Sequence, residues 1–522
     1  MASVTNRKAR RQRERKAKRI QALHRKLRQR TKQWKGKKLT QEEKKIRSEK
    51  LKKRIEEKKK NKELENKITQ NEAFNKIIYS CFESEGLMSL AKKVGFIKRS
   101  SAEITAFAFV YIMSFGFVGW GTISLDCLTS SLAKLFNVRI TAQGLSKRIN
   151  RKESAVFLEK VLFTLMNAQM KFKLKNKYEK IFNAFSAVAI EDSSQITLNE
   201  AMSGSYQGSG GGASKACVKL NFIFDIKSFV VLGVKKTSGI VSDTANCLEI
   251  LKHVKFGMLI IRDLGYFSLE SFKKIGEAGA FYISRLSMSV NVYLNEEDET
   301  PLNVIEYLEE MKKKKIKMID IPVFLGKGKL KSRMIAVGVP EKVVKQRKER
   351  YKKDNKKEAS QLYMRWSGFS IFVSNIPANI ITGEFIIVFY KIRWQIELIF
   401  KNFKSNLELD KLKGINRHRI DCLIYGKLIV ILTSVGIHQF AVNIAKDKEV
   451  SGDKLTKWLK VENRFQRAVE TGNFEELLAS LEQEIHLVCK QKRTRKTTLE
   501  QIEALIEREQ EGIKENQVLL CA

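Results

Sequence analysis

The chain has 522 residues, 43% of them hydrophobic, enough for a large core divided among roughly two to four domains. Its formal net charge of +42 points to a polyanionic partner, either nucleic acid or an anionic membrane surface. Seven cysteines without a C-x-x-C and five histidines without an H-x-x-x-H pair argue against a zinc site or a disulfide framework and fit a reducing cytoplasm.

Residues 1–70 hold 29 Lys and Arg against 8 Asp and Glu, half of the net charge. Such a basic, low-complexity run buries too little apolar surface to fold alone. A disordered arm, or a lone helix that orders on DNA, is expected over 1–72. A solubilising tail and an RNA-binding arm fit the same composition. The N-terminus is charged throughout, so no signal peptide is expected.

Residues 73–180 read as a helical N-terminal domain with a DNA-binding role. Seventeen uncharged, largely apolar residues at 104–120 reach the short limit of a membrane span. No clear second span follows, because Lys427 interrupts the next apolar stretch at 422–437, so a buried helix is expected instead. Ser124 is placed to cap a helix running to Phe136, with Leu125, Leu128, Leu132 and Leu135 at helical spacing. Thr141 is placed to cap a short helix carrying Gln143, Lys147 and Arg148. The pair suits DNA contact, and equally an ordinary helical hairpin.

At 183 the pattern changes to strands. The run 187–194 is an apolar strand ending in Glu191, Asp192, Ser193 and Ser194. A glycine-rich loop at 204–212 lacks the lysine placement of a phosphate-cradling loop and reads as a connection. Strands follow at 217–226 and 229–236, then a helix at 244–254. A buried strand ends in Asp263, Ser268 caps a helix, and a short strand closes at Arg285. Residues 288–365 alternate β-like runs (290–294, 315–323, 332–339) with a highly charged helix at 342–357. Trp366, Phe369 and Phe372 stand at the exit of that segment.

Residues 389–404 read as one helix. At about 100° per residue, Ile392, Ile396, Ile399 and Phe403 share one apolar face, while Tyr390, Arg393, Glu397 and Lys404 share a separate polar stripe. One carboxylate flanked by a phenol and two cations suits a metal ion with phosphate-gripping neighbours. It also suits a solvated face with an i, i+4 pair of Arg393 and Glu397. Beyond it, 420–440 reads as a long apolar core helix, and 474–488 and 497–511 as amphipathic helices.

The spacing Tyr-(two)-Arg-(three)-Glu-(six)-Lys, preceded in order by Asp-Ser-Ser and Asp-x-Gly-Tyr-Phe-Ser, resembles the DDE transposases of the insertion-sequence-four type, in the RNase H-like, retroviral-integrase superfamily. The resemblance implies a mixed α+β and α/β fold. Its RNase H-like catalytic core would span 181–410 with a β-rich insertion at about 288–370, followed by a helical C-terminal region at 411–522. It implies that Asp192 and Asp263 end adjacent central strands and that Glu397 arrives from a helix across the sheet. The three would hold Mg²⁺, with Mn²⁺ able to substitute. It implies that Tyr390, Arg393 and Lys404 contact DNA beside the cut and that Arg285 is a DNA-contacting arginine. Lys401, one turn after Glu397, is either a further phosphate contact or a solvated lysine. Trp366, Phe369 and Phe372 are candidates for stacking on a flipped base, with core packing the expected fate of at least two.

The activity so implied is cut-and-paste transposition. The enzyme would cleave transposon ends through a hairpin and join them to target DNA, as a homodimer on paired ends. It would act in the cytoplasm with the nucleoid and without a membrane. The alternatives are a catalytically silent, transposase-derived DNA-binding protein and a membrane-associated basic protein anchored by 104–120.

Overall fold

A computed structural model describes residues 82–508, apart from 99–102, 118–123, 172–180, 211–213, 446–447, 492–497 and 499. The basic arm at 1–72 and the end of the last predicted helix lie outside the described residues.

The N-terminal region is helical: α1 (Ser84–Lys93), α2 (Ala106–Ser114), α3 (Leu125–Phe136), α4 (Ala142–Ile149) and α5 (Lys152–Lys171). The two predicted caps form. Ser124 accepts from the Cys127 N–H at 3.2 Å and Thr141 from the Gly144 N–H at 3.0 Å, each satisfying a donor the helix leaves open. Gln143 and Lys147 are exposed, but Arg148 folds back over the Phe96 ring, 5.0 Å from its centroid.

Among the described residues of the apolar stretch at 104–120 are a 3₁₀ turn at Phe115–Phe117 and the nine-residue α2, capped by Thr105 and buried at every position but Phe107. Its partner is α12 (Arg417–Ile444), the one described helix long and apolar enough to cross a membrane, with 94% of its apolar window buried inside the protein. The two backbones touch at Gly426, where a Cβ would run into the Met113 carbonyl oxygen.

The centre is a mixed α/β structure built on one nine-stranded sheet, in the order β3-β2-β1-β4-β5-β9-β8-β7-β6. β1 (Val188–Thr197), β2 (Cys217–Asp225) and β3 (Val230–Ser238) form an antiparallel meander. β4 (Leu259–Arg262) and β5 (Phe281–Arg285) join β1 in parallel. The pleat sorts side chains by parity. Ile190 and Ile261 face the core shared with the C-terminal helices, while Ala189 and Ile260 face a second core. That second core packs under α6 (Leu269–Glu277) and α7 (Val304–Lys313).

The predicted helix at 244–254 is instead two 3₁₀ turns, Thr244–Asn246 and Glu249–Lys252. The Cys247 carbonyl accepts from the buried Arg262 guanidinium and from the Ser271 hydroxyl, so it is committed away from a helical ladder.

The strands expected at 290–294, 315–323 and 332–339 form as β6 (Val292–Tyr293), β7 (Met318–Leu325) and β8 (Leu330–Gly338). They join the central sheet through β9 (Phe369–Ser374), which pairs with both β8 and β5. The charged helix α8 (Glu341–Asn355) and the short α9 (Gln361–Trp366) lie between β8 and β9 in sequence. Then come α10 (Gly383–Ile392), α11 (Trp394–Leu407), α12 and further short helices between 452 and 488.

Candidate active site

Asp192 does not end its strand, as the sequence suggests; it is the fifth residue of β1. β1 pairs with β2 as far as Thr197, so the strand continues, but its parallel pairing with β4 stops at Glu191↔Arg262. One step further, Asp192 and Asp263 therefore stand level where β4 ends. This is the juxtaposition expected of adjacent strands.

The predicted helix at 389–404 is broken. Arg393 is a turn between α10 and α11. Its N–H donates to the Tyr390 carbonyl at 3.1 Å, and its carbonyl accepts from the Ile396 N–H at 3.2 Å, so the ladder tightens there from i−4 to i−3. The expected apolar face is real. Ile392, Ile396 and Phe403 are buried and Ile399 partly so. Phe400 and Phe403 pack on Phe222 of β2, with ring centroids 5.2 and 6.2 Å away. That packing lays α11 across the sheet and turns Glu397 toward the two aspartates.

The three carboxylates meet around one guanidinium. Arg393 reaches Glu397 at 2.7 Å, Asp192 at 3.7 Å and Asp263 at 3.7 Å. The Arg393 side chain is 18% exposed, and its buried Nε has no hydrogen-bond partner. Tyr390, placed by helical spacing on the polar stripe, is buried. Its hydroxyl donates to Asp263 Oδ1 at 3.2 Å, and its ring lies against Phe372 and under Arg285, centroid distances 5.0 and 5.6 Å. Lys404 donates to the Gln195 carbonyl of β1 at 3.0 Å, tying α11 to that strand. Lys401 is exposed. Phe369 and Phe372 are core residues, 7% and 4% exposed, and Trp366 is half-buried against the second core. In this conformation neither phenylalanine offers an open face to a base.

Burial pushes the Asp192 carboxyl up to about 6, with Asp263 and Glu397 adding to the rise and the Ser193 N–H and Arg393 opposing it. Burial pulls the Arg393 guanidinium down, but Asp263, Tyr390 and Glu397 outweigh it and hold it above its ordinary value. Among the described residues no three His, Cys, Asp or Glu side chains close on one point tightly enough to hold an ion, because the guanidinium stands between these acids. The donor set still suits a hard divalent cation. Three carboxylates face one cation, and the orphaned Nε shows that Arg393 fills the place incompletely.

Behind this centre lies a second ionic group that the sequence alone does not single out. Arg262 donates through Nε at 2.8 Å and Nη2 at 2.5 Å to Glu191, and through Nη1 at 2.6 Å to Ser271 Oγ. Arg262 is 0% and Glu191 1% exposed. Burial pushes the Glu191 carboxyl up against the pull of Arg262. A signal is present: each apolar strand carries one charge, of opposite sign, immediately before its aspartate. Asp243 also goes unsignalled in the sequence; it accepts from Ser193 Oγ at 2.9 Å and from Lys219 Nζ at 3.1 Å.

Residues 183–433, which include all three acids, match the family profile described as "Transposase DDE domain". The chain is 31% identical over 369 residues to the transposase for insertion sequence element IS231B of Bacillus thuringiensis subsp. berliner, covering 66% of this chain and 75% of that one. It is 26% identical over 377 residues to the transposase for insertion sequence element IS1151 of Clostridium perfringens, covering 69% and 79%. Among solved structures it resembles a cryo-EM structure of the piggyBac transposase synaptic complex with hairpin DNA, at 10% identity and a TM-score of 0.41, over 82% of this chain and 87% of that one.

Proposed function

The chain belongs to the DDE transposases of insertion-sequence elements, enzymes that act on DNA, and from that membership we propose a cut-and-paste reaction at the centre formed by Asp192, Asp263 and Glu397. The observation that carries the assignment is the convergence of these three acids on the Arg393 guanidinium at 2.7 to 3.7 Å. They come from mid-β1, the end of β4 and α11, positions separated by long stretches of chain. The meander β3-β2-β1 continued in parallel by β4 and β5 supports reading residues 181–410 as an RNase H-like core interrupted by a β-rich insertion.

Asp192, Asp263 and Glu397 would hold Mg²⁺, or Mn²⁺ in its place. A bound pair of such ions supplies an activated oxygen nucleophile and neutralises charge on the phosphate under attack. The chain's own residues do the rest. The Glu191–Arg262 pair fixes the strands that present the aspartates. Tyr390 orients Asp263 through its hydroxyl. Arg393, released from the carboxylates, is long enough to turn to a DNA phosphate, where its planar fork suits two oxygens. Arg285 at the end of β5 and Lys401 and Lys404 on α11 would take neighbouring phosphates. End cleavage through a hairpin, joining of the freed 3′-hydroxyl to target DNA, a homodimer on paired ends and a place with the nucleoid complete the reading.

The test is nicking of a duplex carrying the element's terminal repeats, with Mg²⁺ and with EDTA. Metal-dependent nicks followed by a hairpin species are expected. Binding without any nick would move the protein to the catalytically silent class.

A further inference from the structure

We propose that the far end of the same sheet edge, where β7, β8 and β9 meet α7 and α8, is a second DNA contact that grips the phosphate backbone of a duplex. The inference rests on DNA being the substrate.

Register places this region. Asp263 follows the carboxyl end of β4, and β5 ends nearby at Arg285, which pairs with Phe372 of β9. From Phe372, β9 runs back to its first residue, Phe369, which pairs with Gly338 at the end of β8, while Val337 beside it pairs with Met318 at the start of β7. The acids and this corner therefore share one edge of the sheet. β7 is five strands from β1, about 24 Å at ~4.8 Å per strand. Measured along the sheet, that is less than one duplex turn of ~34 Å, so the two places fall within the length of one turn of duplex.

The corner holds a groove of about 400 Å³ with Phe369, Ile319 and Val339 among its apolar lining and Lys312, Lys315 and Lys317 at its side. All three lysines are exposed. The chain passes from Val339 directly into α8, a helix with no buried residue. α8 is nonetheless held down. Arg347 donates to the carbonyls of Ser367 and Phe369 at 2.9 and 2.7 Å and to Ser370 Oγ at 2.8 Å, and Tyr351 packs on Tyr363, ring centroids 4.3 Å apart.

At about 100° per residue, the face of α8 opposite Arg347 and Tyr351 carries Lys342, Lys345, Lys352 and Lys353, with Glu349 the one acid among them. Lys352 is paired with Glu358. Among the described residues, Lys342, Lys345 and Lys353, like Lys312, Lys315 and Lys317, form no ion pair. This face is anchored from behind and carries four lysines to the single acid Glu349 in front, a net positive surface. Such a surface fits a regular row of phosphates, read without regard to sequence.

The test replaces all six unpaired lysines in the full chain (K312Q, K315Q, K317Q, K342Q, K345Q, K353Q) and measures binding to a 40-base-pair duplex by anisotropy from about 0.05 to 0.3 M salt. The slope of log K against log salt should flatten by about 0.9 for each phosphate that is no longer neutralised. A flattening of about 2 or more is expected, with affinity down about tenfold or more for terminal-repeat and random duplexes alike. The six Lys→Arg replacements should bind like the unaltered protein. An unchanged slope in the Gln variant rejects the grip while leaving the transposase reading intact. An equal loss in the Arg variant assigns the effect to folding and also rejects it. Failure of the unaltered protein to bind any duplex would remove both.

Discussion

Glu191 and Asp192 are neighbours on β1, and Arg262 and Asp263 are neighbours at the end of β4, yet the pleat sends each pair of neighbours to opposite faces of the sheet. On one face Arg262 and Glu191 are sealed from solvent and bonded at 2.5 to 2.8 Å, and Ser271 Oγ and the Cys247 carbonyl also accept from the guanidinium. On the other face Arg393 faces three carboxylates, is within hydrogen-bond reach of only Glu397, and keeps Nε unsatisfied. The first group is sealed from solvent, and its charges are spent within the protein. The second is half-satisfied, open to solvent and negative in sum, which is the condition of a site that waits for another cation. Structure and chemistry are divided between the two faces of one strand pair.

The sharpest way to break that contrast is Asp192→Ala. Strand cleavage should fall by about 10³-fold or more, corresponding to ~4 kcal/mol of lost transition-state stabilisation, while terminal-repeat binding stays within a few-fold. Urea unfolding should show no loss of stability, because the removed carboxylate is one that burial disfavours. A variant that still cuts would show that the open face is not where the chemistry is.

Arg262→Met is the counterpart on the closed face. It strands Glu191 as a buried, unpaired carboxylate and should cost about 3–5 kcal/mol in urea unfolding. Adding Glu191→Gln should restore much of that, since what the single variant leaves behind is the expensive part. If the single variant is as stable as the unaltered protein, the pair does not hold the strands.

How much of this can be read from the chain alone follows from the range of each interaction. The caps at Ser124 and Thr141 are local hydrogen bonds, and they form as the sequence indicates. The apolar face of Ile392, Ile396 and Phe403 is legible for the same reason, since helical spacing survives the break at Arg393. The 244–254 segment reads wrongly as a helix because its carbonyl partner comes from Arg262, fifteen residues away. Tyr390 reads as part of a polar stripe, and its burial is not legible locally because Asp263, its partner, lies 127 residues earlier. The length of β1 past Asp192 depends on pairing with β2, which no local pattern announces. The order of the three acids is readable by resemblance; that a guanidinium occupies their centre is not.

Arg393→Gln tests whether that guanidinium and a divalent ion compete for one place. Removing the positive charge while keeping polar bulk should tighten Mn²⁺ binding, read by electron paramagnetic resonance of free Mn²⁺ without DNA, by up to about tenfold or ~1.4 kcal/mol. DNA affinity should fall in the same variant if Arg393 also serves a phosphate. Weaker Mn²⁺ binding would mean that the arginine helps to assemble the carboxylates rather than filling in for the metal.

The smallest effect is expected at Tyr390→Phe. The ring keeps its packing against Phe372 and Arg285, and only the hydroxyl donated to Asp263 is removed. A hydrogen bond to a carboxylate in a partly buried site is worth about 1.5 kcal/mol, so single-turnover cleavage should fall by about tenfold at most, with stability nearly unchanged. The split between the open and closed faces predicts where that loss appears. Because Asp263 is already aligned by its position after β4, the hydroxyl refines its direction rather than its presence, so the loss should fall on the cleavage rate at saturating DNA and not on DNA affinity. A loss confined to affinity would instead make Tyr390 a DNA contact and leave Asp263 oriented by the backbone alone.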